Sequence, residues 1–98
     1  KVSLELGGNA ATFIEKTGDL AYAAKRCAVG AFVNSGQVCI SLQRIYVQEA
    51  IYDKFSNIFT EETKKLILGN PYDDQTFMGP LINKEAVDRA YNWVKSAI

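Results

Sequence analysis

Apolar residues change their spacing several times along the chain, and each change predicts an element. From Val2 to Leu6 the order Val, Ser, Leu, Glu, Leu alternates, the pattern of a short strand with Glu5 on the face opposite Leu4 and Leu6. Gly7-Gly8-Asn9 is a turn signal, and Ala10 to Ile14 predicts a second extended segment. Asp19 suits the N-cap of a helix running to Ala31 or Val33. Its apolar positions Leu20, Ala23, Ala24, Cys27, Ala28 and Ala31 recur at helical spacing. Most are small, which predicts close packing against another element.

Asn34-Ser35-Gly36 ends that helix. Gln37 to Gln43 reads as a loop, and Arg44 to Gln48 as a strand. A long amphipathic helix is predicted from about Ala50 to Leu66, with Ile51, Phe55, Ile58, Phe59 and Leu66 on one face. Gly69-Asn70-Pro71 stops it, and Tyr72 to Pro80 is a polar connection. Asn83 then caps a last helix whose buried face is Val87, Ala90 or Tyr91, Val94 and Ala97. Ile82 and Val87 are placed to form a hydrophobic staple across that cap. Strands alternating with helices give an α/β fold with a parallel or mixed sheet and flanking helices. Such a sheet needs cover on both faces, more than these segments supply by themselves.

Composition narrows the class. The 98 residues are 48% hydrophobic and 22% charged, an ordinary globular balance for one small domain. Eleven basic and eleven acidic residues cancel, and no block of Lys or Arg forms. A nucleic-acid partner calls for a basic stripe and an anionic membrane for a basic cluster, so neither partner is expected. No apolar run approaches the length of a transmembrane helix, and no signal peptide is visible. Cys27 and Cys39 lack C-x-x-C spacing and histidine is absent, so neither a disulfide framework nor a metal site is expected. Free thiols point to a reducing compartment, the cytoplasm. The chain starts at Lys1 on an apolar alternation and stops at Ile98 within a helical pattern, as a piece of a longer protein would.

Lack of histidine also rules out Ser-His-Asp and Cys-His mechanisms built from this chain alone. A thiol and carboxylates remain. Cys39 lies in a loop beside Gly36, where its sulfur is accessible and its amide N–H is free to face a ligand. It is either a nucleophile able to attack a carbonyl carbon, its own N–H helping to hold the oxyanion, or a small packed thiol. Cys27, on an apolar helix face among alanines, reads as a packed thiol. Glu5 is unusual as a carboxylate in an apolar strand. It is either a solvent-facing residue or, if buried, a general base with a raised pKa.

Glu5-Leu6-Gly7-Gly8-Asn9 resembles the glutamate signature of the aldehyde dehydrogenase superfamily. Phe32-Val33-Asn34-Ser35-Gly36-Gln37-Val38-Cys39, continuing to Arg44, resembles its cysteine signature. Tyr52-Asp53-Lys54-Phe55, Gly69-Asn70-Pro71 and Met78-Gly79-Pro80-Leu81-Ile82 follow in the family's order, so the resemblance spans essentially the whole chain. It implies that residues 1–98 are part of the catalytic, cysteine-bearing domain, without the nucleotide-binding domain. Cys39 would attack an aldehyde, a thiohemiacetal would be oxidised to a thioester with NAD or NADP, and Glu5 would activate water to release the carboxylic acid. The resemblance further implies that the backbone of Leu6 meets the nicotinamide, that the isolated residues are inactive, and that the full-length protein is a homo-oligomer. Glu5 favours hydrolysis over transfer of the acyl group to coenzyme A. The alternatives are a coenzyme A-acylating relative and a non-catalytic module of the same fold.

Overall fold

The computed structural model describes residues 1–98. Two strands form its sheet, β1 (Ala10–Ile14) and β2 (Leu42–Val47), paired in parallel. A parallel pair needs a crossover between its strands, and α1 (Leu20–Phe32) supplies it. Asp19 starts α1 as its capping pattern predicts: one carboxylate oxygen accepts from the N–H groups of Ala21 and Tyr22, each at 3.0 Å. These are donors the first helical turn would otherwise leave unpaired.

Register along the sheet is Thr12 with Ile45, Phe13 with Tyr46 and Ile14 with Val47. Between Ala10 and Ala11 the partner jumps from Leu42 to Arg44, so Gln43 is an extra residue in β2. This irregularity brings Leu42 onto the inner face with Ile45 and Val47, which a strict alternation would not allow. The sheet is thus parallel, and β2 begins two residues before the predicted start.

One sheet face is covered. Ala24, Cys27 and Ala28 are buried on α1, and their small side chains leave room for α2 (Tyr52–Lys64), entered through a 3₁₀ turn at Glu49–Ile51. Phe55 fills that room at 2% exposure, joining Ile14, Ala24 and Cys27 in the core, with Leu42, Ile45, Val47, Ile58 and Phe59 packed around them. The opposite sheet face carries Phe13 and Tyr46, stacked with centroids 5.0 Å apart but exposed. The expected shortage of cover is therefore real.

Three predicted features do not form. Residues 1–9 hold no strand, and Val2, Leu4 and Leu6 are exposed; β1 bonds only to β2, and its other edge stays unpaired. The last helix, α3 (Lys84–Ala97), is capped by Asn83, whose side chain accepts from the Ala86 N–H at 2.9 Å. Its predicted inner face stays exposed, Tyr91 at 59% and Val94 at 60%. Ile82 is exposed too, so no staple closes over the cap. Capping and periodicity are local and sufficed to define α3; burial needs a facing element, and these residues contain none.

Replacing Phe55 with alanine is expected to cost about 3–5 kcal/mol, read as a lowered urea midpoint. A loss below about 1 kcal/mol, the range of a well-tolerated core swap, would place the core elsewhere.

Candidate functional site

In a parallel pair, the segments that lead into both strands emerge at the same sheet edge. Ala10 pairs with Leu42, so residues 5–9, leading into β1, meet residues 37–41, leading into β2. All three sequence-predicted site residues, Glu5, Leu6 and Cys39, lie on those segments.

Beyond α1 the chain turns through three consecutive left-handed residues, Asn34 (φ 52°), Ser35 (φ 57°) and Gly36 (φ 74°). Asn and Gly tolerate this region, while Ser35 is the strained member. A reciprocal clamp holds the turn. The Asn34 side-chain amide donates to the Gln37 carbonyl at 3.2 Å, and the Gln37 side-chain amide donates to the Asn34 carbonyl at 3.3 Å. A second turn follows immediately, closed by the Ser41 N–H donating to the Val38 carbonyl at 2.8 Å. Cys39 sits in it, exposed.

Ser41 braces that turn from beneath. It is the buried polar residue of the chain, and its hydroxyl donates to the Ala31 carbonyl, in the last turn of α1, at 3.2 Å. Helix end and cysteine turn are thereby joined, leaving the thiol in solvent on a braced backbone. Cys27 is the opposite case. It is packed in the core, where burial pushes its thiol above the ordinary range.

Glu5 is exposed, not buried as the raised-pKa reading required. Its carboxylate accepts from the Gly7 N–H at 2.7 Å, which curls the segment, and Gly7 takes φ 77° to allow it. Gly8 then lies directly on the cysteine turn: a Cβ there would fall 1.8 Å from the Cys39 carbonyl oxygen. One residue on, the Arg44 guanidinium donates to the Asn9 carbonyl at 3.1 Å. Glutamate and cysteine segments are therefore in contact. Leu6 is 85% exposed, and its backbone groups bond to nothing within the chain.

A separate groove of about 890 Å³ is lined in part by Phe32, Ser35, Leu68, Pro71, Met78 and Leu81. Neither Cys39 nor Glu5 lines it. Sequence reasoning missed the roles of Ser41, Gly8 and Arg44. Gly8 alone carried a signal, since a second glycine often marks close backbone approach, but nothing in the order of residues names what approaches.

The aldehyde dehydrogenase family profile matches residues 1–98. The chain belongs to the aldehyde dehydrogenase family. It is 51% identical to 3-sulfolactaldehyde dehydrogenase of Priestia aryabhattai over all 98 of its residues, which make up 20% of that relative. Among solved structures, an NAD-dependent benzaldehyde dehydrogenase from Corynebacterium glutamicum superimposes with a TM-score of 0.81 at 36% identity, over 95% of this chain and 20% of the other. An NADP-dependent glyceraldehyde-3-phosphate dehydrogenase from Bacillus halodurans, complexed with NADP, gives 0.80 at 28% identity, over 92% and 19%. The chain thus spans about a fifth of the length of these relatives. The α/β fold read from alternating elements is the fold of these neighbours.

At pH 8, iodoacetamide is expected to label Cys39 at least about tenfold faster than Cys27, because thiolate and access are both needed. The raised Cys27 pKa favours its neutral form in the folded state. Its stabilising contribution is complete below the ordinary thiol pKa and is lost as pH rises through the raised value. Equal labelling, mapped by peptide mass spectrometry, would contradict the packing of Cys27.

Proposed function

We propose that this chain carries the nucleophile and the general base of an NAD(P)-dependent aldehyde dehydrogenase whose full-length catalytic domain extends beyond these residues. The observation that carries the reading is the contact of Gly8 with the Cys39 carbonyl, which sets the Glu5 segment against an exposed, braced thiol. Family membership adds the reaction class.

In this reading the Cys39 thiolate attacks the aldehyde carbon and forms a thiohemiacetal. Its own N–H is available to the resulting oxyanion. Oxidation gives a thioester on Cys39. Glu5 takes a proton from water, the water oxygen attacks the thioester carbon, and the acid departs as the thiol is restored. A thiolate suits the first step and a carboxylate base the last. The exposure of Glu5 fits contact with water.

The residues present fit only the edge of a dinucleotide site. Leu6 offers unpaired backbone groups beside Glu5 and is the residue that would meet the nicotinamide. Gly7-Gly8 is not a phosphate cradle, since the Gly7 N–H already serves Glu5 and Gly8 faces the Cys39 carbonyl. NAD or NADP, held beside Leu6, would supply the oxidising equivalent for this chemistry. The relative that acts on 3-sulfolactaldehyde makes short 2-hydroxyaldehydes the first substrates to assay.

In the full-length protein, Cys39→Ala should lower aldehyde-dependent NAD(P)H formation by at least about 10³-fold, and Glu5→Gln by about 10²- to 10⁴-fold. Retained turnover in Cys39→Ala would overturn the assignment. Added coenzyme A should leave the rate unchanged, whereas strict dependence on it would replace hydrolysis with acyl transfer.

A further inference from the structure

Gly7 and Gly8 are glycines for different reasons. Gly7 adopts a left-handed conformation with open space around its Cβ position, so the backbone angle selects it. Gly8 has no positive φ, and the space a side chain would need is already filled. Its Cβ position lies 1.8 Å from the Cys39 carbonyl oxygen, 2.9 Å from the carbonyl carbon and 3.4 Å from the α-carbon. All three are backbone atoms and cannot swing aside as a side chain does. Arg44 adds a tie to the same segment through the Asn9 carbonyl at 3.1 Å.

The geometry points to Gly8 as a positioning residue which, together with Arg44, gauges the distance between the Glu5 segment and the Cys39 peptide. This rests on the reading of Cys39 as nucleophile and Glu5 as base. A methyl group at position 8 forces residues 5–9 and 38–40 apart by roughly 1 Å, a displacement that costs about 10²-fold where two reacting groups must align. Acylation of Cys39 does not use Glu5 and is spared. Hydrolysis uses both: water gives a proton to Glu5, its oxygen bonds to the thioester carbon, and the C–S bond breaks to release the thiolate.

The test uses the full-length enzyme with p-nitrophenyl acetate, whose acetyl group passes to Cys39 with release of nitrophenolate and without any dinucleotide. The initial burst reports acylation, and the steady rate reports hydrolysis. Gly8→Ala should keep the burst and lose about 10²-fold in the steady rate, with its circular dichroism unchanged. Arg44→Gln, at the surface, should keep the burst and slow hydrolysis about fivefold, the equivalent of one net hydrogen bond. If Gly8→Ala fails to fold, Arg44→Gln alone decides. A wild-type steady rate, or an equal fall of burst and steady rate, overturns the positioning role. A burst that survives in Cys39→Ala instead overturns the catalytic reading beneath it, so the two failures are distinguishable.

Discussion

Parallel hydrogen bonding between β1 and β2 is the constraint on which the rest depends. It obliges the chain to cross over through α1, and that crossover supplies the small-residue face into which Phe55 packs. It also brings the lead-in segments of both strands to one sheet edge. Residues far apart in sequence, Gly8 and Cys39, are neighbours for that reason. An antiparallel hairpin would have sent them to opposite ends.

The two cysteines show how position decides chemistry. Both are free thiols. Cys27 sits where α1 meets the core, and its burial disfavours the thiolate. Cys39 sits beyond the helix end, where three left-handed residues and the buried Ser41 hydroxyl hold its turn clear of the core. Rigidity at that turn comes from hydrogen bonds to the backbone, so the thiol side chain remains free for other contacts. The uncovered faces at Phe13, Tyr46 and α3 fit a chain that spans about a fifth of its relatives' length.

Legibility in the sequence followed the range of the interactions involved. Helix caps act within a few residues, and Asp19 and Asn83 mark the true starts of α1 and α3. Amphipathic spacing likewise located α1 and α2. The strand read at Val2–Leu6 fails because a strand needs a partner, which alternation cannot reveal. For the same reason the apolar stripe of α3 has no burial. In the site, Cys39 was legible as a loop thiol and Glu5 as an odd carboxylate. The contact of Gly8 with the Cys39 carbonyl was not, because it depends on strand register and on the extra residue Gln43.

The central claim is that Cys39 forms a thioester which Glu5 helps to hydrolyse. Its most direct test is acid quenching of the full-length Glu5→Gln enzyme during turnover with a short 2-hydroxyaldehyde and NAD(P), followed by peptide mass spectrometry. The expected result is an acyl adduct on the Cys39 peptide, more abundant than in wild type because hydrolysis is slowed. An adduct on Cys27, or none on Cys39 while product still forms, would contradict it.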